Sequence, residues 1–191
     1  MPNLSQLLDG PTPLLVLDAA SSVIQVGVLG PPGVSRWARR TQEAGTGLFA
    51  ALAELEVDLG SIGAFAYCEG PGSILGIRTS AMAVRAWNAL GARPTFAYFG
   101  LALVAQALGD PRLNVIADAR RGLWHCLTLG GEPRRVRTQD LGVPRITPEG
   151  FRSWEPLPPG TASTPYDVAA LLKLPGVAEA DLFRSSPKPA G

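Results

Sequence analysis

One short pattern occurs twice in this chain and constrains its fold more than any other feature. Residues 13–30, PLLVLDAASSVIQVGVLG, contain an apolar run that ends at Asp18, a small polar corner and a second apolar run. Residues 112–130, RLNVIADARRGLWHCLTLG, repeat this order, with Asp118 in the place of Asp18. Short apolar runs bounded by turn residues are typical of buried strands. The repeat therefore predicts two related lobes that each begin with an antiparallel strand pair.

The rest of the chain predicts an N-terminal lobe over residues 14–110 and a reduced C-terminal lobe over residues 111–191. The first lobe has strand patterns followed by helix, strand, helix, strand and helix. Its predicted helices are 45–57, 73–90 and 100–108. The second lobe has few helical patterns, and residues 139–165 are rich in proline and charge, which predicts a loop. Residues 1–13 are predicted to be a leader outside the fold, and residues 30–33 a turn.

The composition restricts the class of protein. Hydrophobic residues make up 46% of the 191 residues and charged residues 17%, which suits an ordinary folded core. The formal net charge of +1 argues against a surface devoted to nucleic acid. The chain begins without the pattern of an export signal, and no apolar run reaches the roughly 20 residues of a membrane span. We expect a cytoplasmic protein without membrane contact, with Cys68 and Cys126 as buried thiols.

A glycine-rich corner joins a predicted strand to the longest predicted helix, in the sequence AYCEGPGSILGIRTSAMAVRAWNAL (residues 66–90). It does not match a phosphate-binding loop, because Ile77 and Arg78 stand where Lys and Ser or Thr are required. A dinucleotide fingerprint needs Gly or Ala where Leu75 stands. An esterase nucleophile elbow needs glycines where Pro71 and Leu75 stand. The three catalytic motifs are therefore excluded at this corner.

Helix-terminus chemistry remains for this corner. We expect Ser73 to cap the helix by accepting from its first-turn N–H groups; binding of an anion by the same groups is the alternative. The helix also carries a flank of small side chains. These are Gly76, Ser80, Ala83 and Ala86. A flank of this kind lets a second helix approach closely, which predicts docking on another protein. The alternative is a helix that is simply central in its own domain.

Two aspartates and one histidine are the other candidate functional residues. Asp18, followed by Ser21, suits a metal or phosphate site at the end of a strand, and it equally suits a turn. Asp118 repeats this situation. His125 is the only histidine, and no second ligand lies at a spacing that a zinc site requires. We expect His125 to be a structural residue of a strand and predict no metal site.

These patterns together resemble the TsaB family, the YeaZ-type proteins of tRNA threonylcarbamoyladenosine biosynthesis. Members typically carry Gly-Pro-Gly-Ser-Phe-Thr-Gly-Val-Arg at the corner, where residues 70–78 read GPGSILGIR. The family's Asp-Ala-Arg-Arg-Gly turn is present as residues 118–122, and its Asp-Thr-Ala strand end appears as residues 18–20 with Ala in place of Thr. The resemblance covers residues 14–130. It implies an α/β protein with a duplicated ribonuclease-H-like, actin-like ATPase fold and a reduced C-terminal lobe.

The same resemblance implies a non-catalytic scaffold subunit. It would bind the catalytic subunit TsaD, and the ATPase TsaE would join the complex. Its contact with adenosine 37 of tRNA would be indirect only. Self-association into a homodimer is the alternative. Two helices of the N-terminal lobe are the implied interface. Its candidate residues are Leu48, Leu52, Ser73, Gly76, Arg78, Ser80, Ala83, Arg85 and Trp87. No intrinsic cofactor is implied. Binding of ATP or ADP at the partner interface, with or without magnesium, stays open, and the residues near such a nucleotide would be Asp18, Ser21 and Asp118.

The sequence also departs from the family pattern and leaves rival functions open. Ile74 and Leu75 replace Phe-Thr at the corner, and the family's His-Ser or His-Thr segment before the first long helix reads QEAGTGLFAAL. One rival is a nucleotide-dependent kinase or a metallopeptidase of the same fold, with Asp18 and Asp118 as its carboxylates. Another rival is a direct RNA binder, suggested by the arginines of residues 134–137.

Overall fold

The structure is a computed structural model that describes residues 1–31 and 34–186. Pro32 and Gly33, in the predicted turn, lie outside the described residues. Residues 187–191, at the end of the predicted C-terminal lobe, lie outside them as well.

The first sheet has six strands, built on the first copy of the sequence repeat. They are β1 (Leu14–Asp18), β2 (Ile24–Leu29), β3 (Ser35–Arg40), β4 (Ala64–Gly70), β5 (Thr95–Phe99) and β11 (Arg184–Ser185). Their order across the sheet is β11-β5-β4-β1-β2-β3. β1, β2 and β3 form an antiparallel meander, whereas β4 is parallel to β1 and β5 to β4. The predicted strand–corner–strand unit is confirmed.

The second sheet repeats this topology. Its strands are β6 (Asn114–Asp118), β7 (Leu123–Leu127), β8 (Arg134–Arg137), β9 (Arg145–Pro148) and β10 (Thr161–Thr164). Their order, β10-β9-β6-β7-β8, matches β5-β4-β1-β2-β3 of the first sheet. β6, β7 and β8 are antiparallel, and β9 is parallel to β6. The two sheets therefore confirm the predicted duplication.

Helices distinguish the two lobes. The first lobe contains α2 (Ala44–Glu54), α3 (Ile74–Leu90) and α4 (Gly100–Leu108), each close to its predicted position. The second lobe has a 3-10 turn between β8 and β9, and α5 (Val168–Leu171) and α6 (Pro175–Ala178) after β10. The second lobe is thus reduced, as predicted, because helices of one turn replace the long crossover helices of the first.

Strand β1 is buried on both faces, as its continuous apolar run predicts. Because alternate side chains point to opposite faces, Leu15 and Leu17 join the cluster that α2 and α3 cover. Leu14 and Val16 join the larger cluster that contains α4 and residues of the second lobe. The first sheet therefore lies between the α2–α3 layer and the rest of the molecule.

Three sequence predictions need correction. Residues 1–13 are not a leader, since α1 (Leu4–Leu8) buries Leu4 and Leu7 in the main core. Residues 139–165 are not only loop, because they contain β9 and β10, whose four-residue length and flanking prolines hide their periodicity. The chain also returns to the first sheet, where β11 pairs with β5, so residues 184–185 do not belong to the C-terminal lobe.

Candidate docking face and the two aspartate corners

The glycine corner between β4 and α3 serves close backbone packing. Gly72 has a φ of 142°, and a Cβ atom added there would lie 2.1 Å from the carbonyl oxygen of Ala20. A Cβ atom on Gly76 would lie 1.9 Å from the carbonyl oxygen of Ala19. The Ser73 backbone N–H donates to the Ala20 oxygen at 2.7 Å. The glycines therefore let the start of α3 lie directly against the corner that follows β1.

Ser73 caps helix α3, as its sequence position predicts. Its Oγ accepts from the backbone N–H of Gly76 at 3.2 Å. This bond satisfies one of the N–H groups that a helix leaves unpaired in its first turn. Ser73 is half-buried, and its backbone N–H is already bonded to Ala20. Its contacts here are those of a structural cap.

Three of the four small side chains on α3, those of Gly76, Ser80 and Ala83, are buried against the rest of the chain, whereas Ala86 is exposed. Ser80 is 0% exposed and Ala83 is 7% exposed. The same is true of most of the predicted interface residues. Those buried in the monomer are Leu48, Leu52, Gly76, Ser80, Ala83 and Trp87. In the isolated chain these side chains pack in its own core, because this flank provides the close approach of α3 to the β1 corner and to α2. Their direct contact with a partner stays a prediction.

The opposite flank of α3 is exposed and partly apolar. Leu75 is 62% exposed and Met82 is 71% exposed, and both alternate with the exposed Arg78 and Arg85. Residues 75, 78, 82 and 85 follow the three-and-four spacing of one helix face. On α2, Phe49 is 52% exposed. We call Phe49, Leu75, Arg78, Met82 and Arg85 the outer face. It contains the two arginines of the sequence prediction.

A shallow groove of about 250 Å³ lies between the C-terminal part of α2 and α3. Phe49 of the outer face contributes to its wall. Leu52 and Trp87, each 8% exposed, also line it. Two of the residues predicted at an interface therefore contribute a small surface to this groove, although their side chains belong mainly to the core. No pattern in the amino-acid order separates this edge from the fully buried Leu48.

Asp18 lies at the end of β1 inside a buried polar cluster. Its Oδ2 accepts from the hydroxyl of Tyr98 at 2.8 Å and from the hydroxyl of Tyr166 at 2.7 Å. Its Oδ1 accepts from the backbone N–H of Ala20 at 3.0 Å. The residue is 0% exposed. The carboxylate of Asp18 therefore faces these donors instead of solvent, and its proximity to a nucleotide stays a prediction.

The environment of Asp18 changes the acidity of the whole cluster. Burial raises the pKa of Asp18, and the bonds from Tyr166, Ala20 and Tyr98 oppose the rise. Burial also raises the pKa of both tyrosines and of Cys68 well above their ordinary values, and the nearby Asp18 adds to each shift. The two tyrosines are therefore neutral donors to Asp18 at ordinary pH. Cys68 stays a neutral thiol, which donates to the carbonyl oxygen of Gly70 at 3.8 Å.

Ser21 and its neighbour contact the loop after β9. The Ser21 Oγ donates to the backbone oxygen of Val23 at 2.8 Å, and its exposed fraction is 7%. The Ser22 backbone N–H donates to the carbonyl oxygen of Gly150 at 2.8 Å. Phe151 follows and lies edge-on to Tyr166 at 4.8 Å between ring centroids. Ser21 is thus a buried turn residue next to this loop, and its proximity to a nucleotide stays a prediction.

Asp118, the second aspartate of the repeat, holds the other end of the same loop. Its Oδ1 accepts from the Arg120 backbone N–H. Its Oδ2 accepts from the backbone N–H groups of Trp154 and Glu155. The loop 150–155 therefore connects the two corners. It accepts a hydrogen bond from the Ser22 N–H at one end and donates backbone hydrogen bonds to Asp118 at the other. Both carboxylate oxygens of Asp118 thus accept hydrogen bonds within the chain, and its nucleotide role stays a prediction.

The remaining candidate residues have structural surroundings. Cys68 and Cys126 are buried free thiols, as expected. Burial and the charge of Arg135 lower the pKa of His125, which is half-buried on β7, while Asp118 opposes that change. Within residues 1–31 and 34–186, no group of three or more His, Cys, Asp or Glu side chains could hold a metal ion. No helix in that part of the chain is long and apolar enough to cross a membrane.

The five-strand order that both sheets share defines a protein of the duplicated ribonuclease-H-like, actin-like fold. The chain is similar to the solved structure of YeaZ from Pseudomonas aeruginosa, with 24% identity, 71% of this chain and 74% of that chain covered, and a TM-score of 0.58. It is also similar to an uncharacterized protein with similarity to peptidase YeaZ, from Pseudomonas aeruginosa. That match has 22% identity, covers 83% of this chain and 88% of the other, and has a TM-score of 0.60.

These two structures confirm the fold that the sequence resemblance implied. No protein-family model matches the chain. No curated protein matches its sequence. The fold is therefore shown by structural similarity, and function has to be argued from the surfaces of the molecule.

Sequence reasoning missed the residues that complete the site. Phe49 and Met82 are absent from the predicted interface because the prediction rests on the small side chains of the other flank of α3. A signal for Met82 existed, since it lies seven positions after Leu75, on the same helix face. Tyr98 and Tyr166 gave no signal, because their shared contact with Asp18 joins segments that are far apart in the chain.

Proposed function

We propose that this protein is a TsaB-type, non-catalytic subunit that acts in the cytoplasm and docks on a TsaD-like catalytic subunit through its outer face. In this proposal it supports threonylcarbamoyladenosine formation at adenosine 37 of tRNA, and a TsaE-like ATPase completes the assembly. The observation that carries the proposal is the exposed apolar surface of α2 and α3, on a fold similar to that of YeaZ.

The composition of the outer face supports docking on a protein. Phe49, Leu75 and Met82 expose large apolar side chains from neighbouring helices, and apolar and aromatic side chains with arginine are typical of interface centres. Arg78 and Arg85 alternate with them along α3. Carboxylates on a partner would complete the contact by pairing with these arginines.

The aspartate corners support a non-catalytic role. An enzyme of this fold would need carboxylates available to a metal or a phosphate, whereas Asp18 is 0% exposed and bonded to Tyr98 and Tyr166. Asp118 accepts from the backbone of the loop that contains Trp154. The proposal therefore assigns this chain no intrinsic cofactor and places ATP or ADP chemistry, with its magnesium, in the partner subunits.

A substitution on the outer face tests the proposal. Met82→Glu puts a charge at a position that is 71% exposed, so the free energy of unfolding should change by less than about 0.5 kcal/mol. At an interface the same charge would be buried without a partner and would weaken binding by about 2 kcal/mol or more, roughly 30-fold in Kd. Binding to the purified TsaD-like protein is measured by titration calorimetry.

The control is Val143→Glu, at a position of the second lobe that is 72% exposed. It should bind the TsaD-like protein as tightly as the unchanged chain. Equal affinity of all three proteins would place the interface elsewhere. A wild-type chain that only self-associates, with no binding to the TsaD-like protein, would contradict the heterodimer. Ala83→Glu cannot serve here, because Ala83 is 7% exposed and the charge would be buried inside the monomer.

A further inference from the structure

We propose that the C-terminal lobe binds RNA directly, through a cluster of arginines around Trp154. This inference goes beyond the proposed subunit role and does not depend on it, because the cluster lies on the second sheet and the outer face on the helices of the first lobe. It develops the rival hypothesis of a direct RNA binder, which the arginines of residues 134–137 suggested, and differs from the implication of the family resemblance that tRNA is reached only indirectly. We call the surface the arginine cluster. Its residues are Arg120, Arg121, Arg134, Arg135, Arg137, Arg152 and Trp154.

Trp154 is the centre of the cluster. Its side chain is 54% exposed. The guanidinium carbon of Arg152 lies 3.7 Å from the ring centroid, and that of Arg120 lies 4.7 Å from it. Arginine over an indole ring is held by a cation–π interaction. The indole thus fixes two guanidinium groups that belong to separate loops.

The backbone around Trp154 is held in place by two carboxylates. The Trp154 N–H donates to Oδ2 of Asp118, and Oε1 of Glu155 accepts from the Gly122 N–H at 2.8 Å. Between these points, Arg120 and Arg121 have φ values of 64° and 55°. Positive φ is uncommon for residues other than glycine. The turn is therefore held in a conformation that leaves both arginine side chains exposed.

Strand β8 extends the positive surface. Arg135 and Arg137 lie two positions apart, so their side chains leave the same face of the strand. Arg135 donates to the carbonyl oxygen of Ala119 at 3.0 Å, which places its guanidinium beside the Arg120 turn. Arg134, Arg135 and Arg137 are all exposed. The cluster thus runs from loop 150–155, across the β6–β7 turn, to the edge strand of the second sheet.

The arginines of the cluster are not neutralised within the chain. Among the described residues, the ion pairs involve Arg39, Arg40, Arg112 and Arg184. None of them involves a cluster arginine. Asp118 and Glu155, which belong to the same two loops, accept from backbone N–H groups instead. The net charge of the whole chain is only +1, so this positive surface is local.

The chemistry of the cluster favours RNA over an acidic protein. All of its cations are arginines, which bind phosphate oxygens through two N–H groups and also stack on bases. Unpaired RNA bases stack on aromatic side chains and on guanidinium planes. An acidic peptide needs only the charges, whereas bases can also stack on the guanidinium planes that Trp154 holds in place. The arrangement of arginines on and around an indole is the feature that selects a polyanion with planar bases.

Fluorescence anisotropy with the full chain tests the proposal. The probe is a fluorescein-labelled single-stranded oligouridine of about 20 nucleotides, longer than the span of one small binding domain. If three or four arginines contact phosphates, affinity should fall about 20-fold to 50-fold between about 50 mM and 200 mM salt. The double variant Arg120→Glu with Arg152→Glu should lose at least about 10-fold in affinity. The neutral pair Arg120→Gln with Arg152→Gln should lose less, and thermal unfolding checks that both variants fold.

The matched control is Arg78→Glu with Arg85→Glu, which makes the same change in net charge on the outer face. It should leave RNA binding unchanged while weakening binding to the TsaD-like protein. Trp154→Leu should lower RNA affinity about 5-fold and leave its salt dependence unchanged, because stacking involves no counterion release.

Three results would overturn the proposal. The first is that the oligouridine does not bind at low salt. The second is that the Arg120→Glu, Arg152→Glu variant and the Arg78→Glu, Arg85→Glu control lose RNA affinity equally. The third is that a labelled polyglutamate peptide binds more tightly than the RNA. The last result would assign the cluster to an acidic protein. Each result is independent of whether Met82→Glu affects the TsaD-like partner, so failure of one proposal leaves the other standing.

Discussion

The hydroxyl of Tyr166 donates a 2.7 Å hydrogen bond to Oδ2 of Asp18, which lies 148 positions earlier in the chain. A second bond joins the Tyr166 segment to β2, where Gln25 pairs with Asp18: Nε2 of the buried Gln25 donates to the backbone oxygen of Tyr166 at 3.0 Å. The Val168 N–H donates back to Oε1 of Gln25 at 2.9 Å. This buried network fixes the segment after β10 against the end of β1 and holds the two sheets together through polar groups that water does not reach.

Removing the Tyr166 hydroxyl should destabilise the fold. In Tyr166→Phe, Oδ2 of Asp18 loses one of its two tyrosine donors while it stays buried, so the free energy of unfolding should fall by about 1–3 kcal/mol. Urea unfolding measures the change. The control is Tyr67→Phe, because the Tyr67 hydroxyl is part-buried and contacts only Ser186, at 3.3 Å. Equal stability of Tyr166→Phe and wild type would show that the bond contributes nothing.

Asp18 should give the protein a specific dependence on pH. Burial raises its pKa above the ordinary value of 3.8, so the folded state holds the proton more tightly than the unfolded state does. This contribution to stability is complete below 3.8 and is lost as pH rises through the raised pKa of the folded state. Relative to Asp18→Asn, which does not titrate, the wild-type free energy of unfolding should therefore decrease as pH rises above 3.8.

Urea unfolding of the two proteins from about pH 4 to pH 8 checks this trend. Tyr98, Tyr166 and Cys68 face Asp18, but burial holds their pKa values well above their ordinary ones, so they do not titrate in that range. A constant stability difference between wild type and Asp18→Asn would mean that Asp18 has the same pKa in both states.

Gly76 should be irreplaceable, although it lies inside a helix. A Cβ atom there would lie 1.9 Å from the backbone oxygen of Ala19, so Gly76→Ala must push α3 away from the β1 corner, at a cost of about 3 kcal/mol. Gly45→Ala in α2 is the matched control, because no atom lies within 4 Å of its added Cβ. That change should be neutral or stabilise by up to about 1 kcal/mol. Thermal unfolding of both variants distinguishes close packing from a general effect of glycine in helices.

The single histidine reports on the arginine cluster. Burial and then the charge of Arg135 lower the pKa of His125. In Arg135→Gln the charge is absent, so the pKa of His125 should rise toward its ordinary value. Because the chain has one histidine, NMR titration of its imidazole protons gives this pKa directly. Arg112→Gln, whose guanidinium pairs with Asp110 instead, should leave the pKa unchanged; the same rise in both variants would contradict a local effect of Arg135.

The sequence by itself determined the local elements and their repetition. The apolar runs on either side of Asp18 and Asp118 specified two strand pairs, because strand burial appears directly in the order of residues. The helical spacing of residues 74–90 specified α3, and Ser73 specified where it begins, because capping involves neighbours only three positions apart. The short strands β9 and β10 could not be predicted, since four residues next to proline have almost no periodicity.

Only the tertiary structure decided which sides of these elements meet. The periodicity of α3 shows two flanks but not which one faces the sheet; the answer depends on the backbone of Ala19, which Gly76 contacts across the corner. The burial of Asp18 depends in the same way on Tyr166, and the arginine cluster on the approach of Trp154 to Asp118. These contacts join residues far apart in the chain, and local patterns cannot encode a distance that only the assembled sheets create.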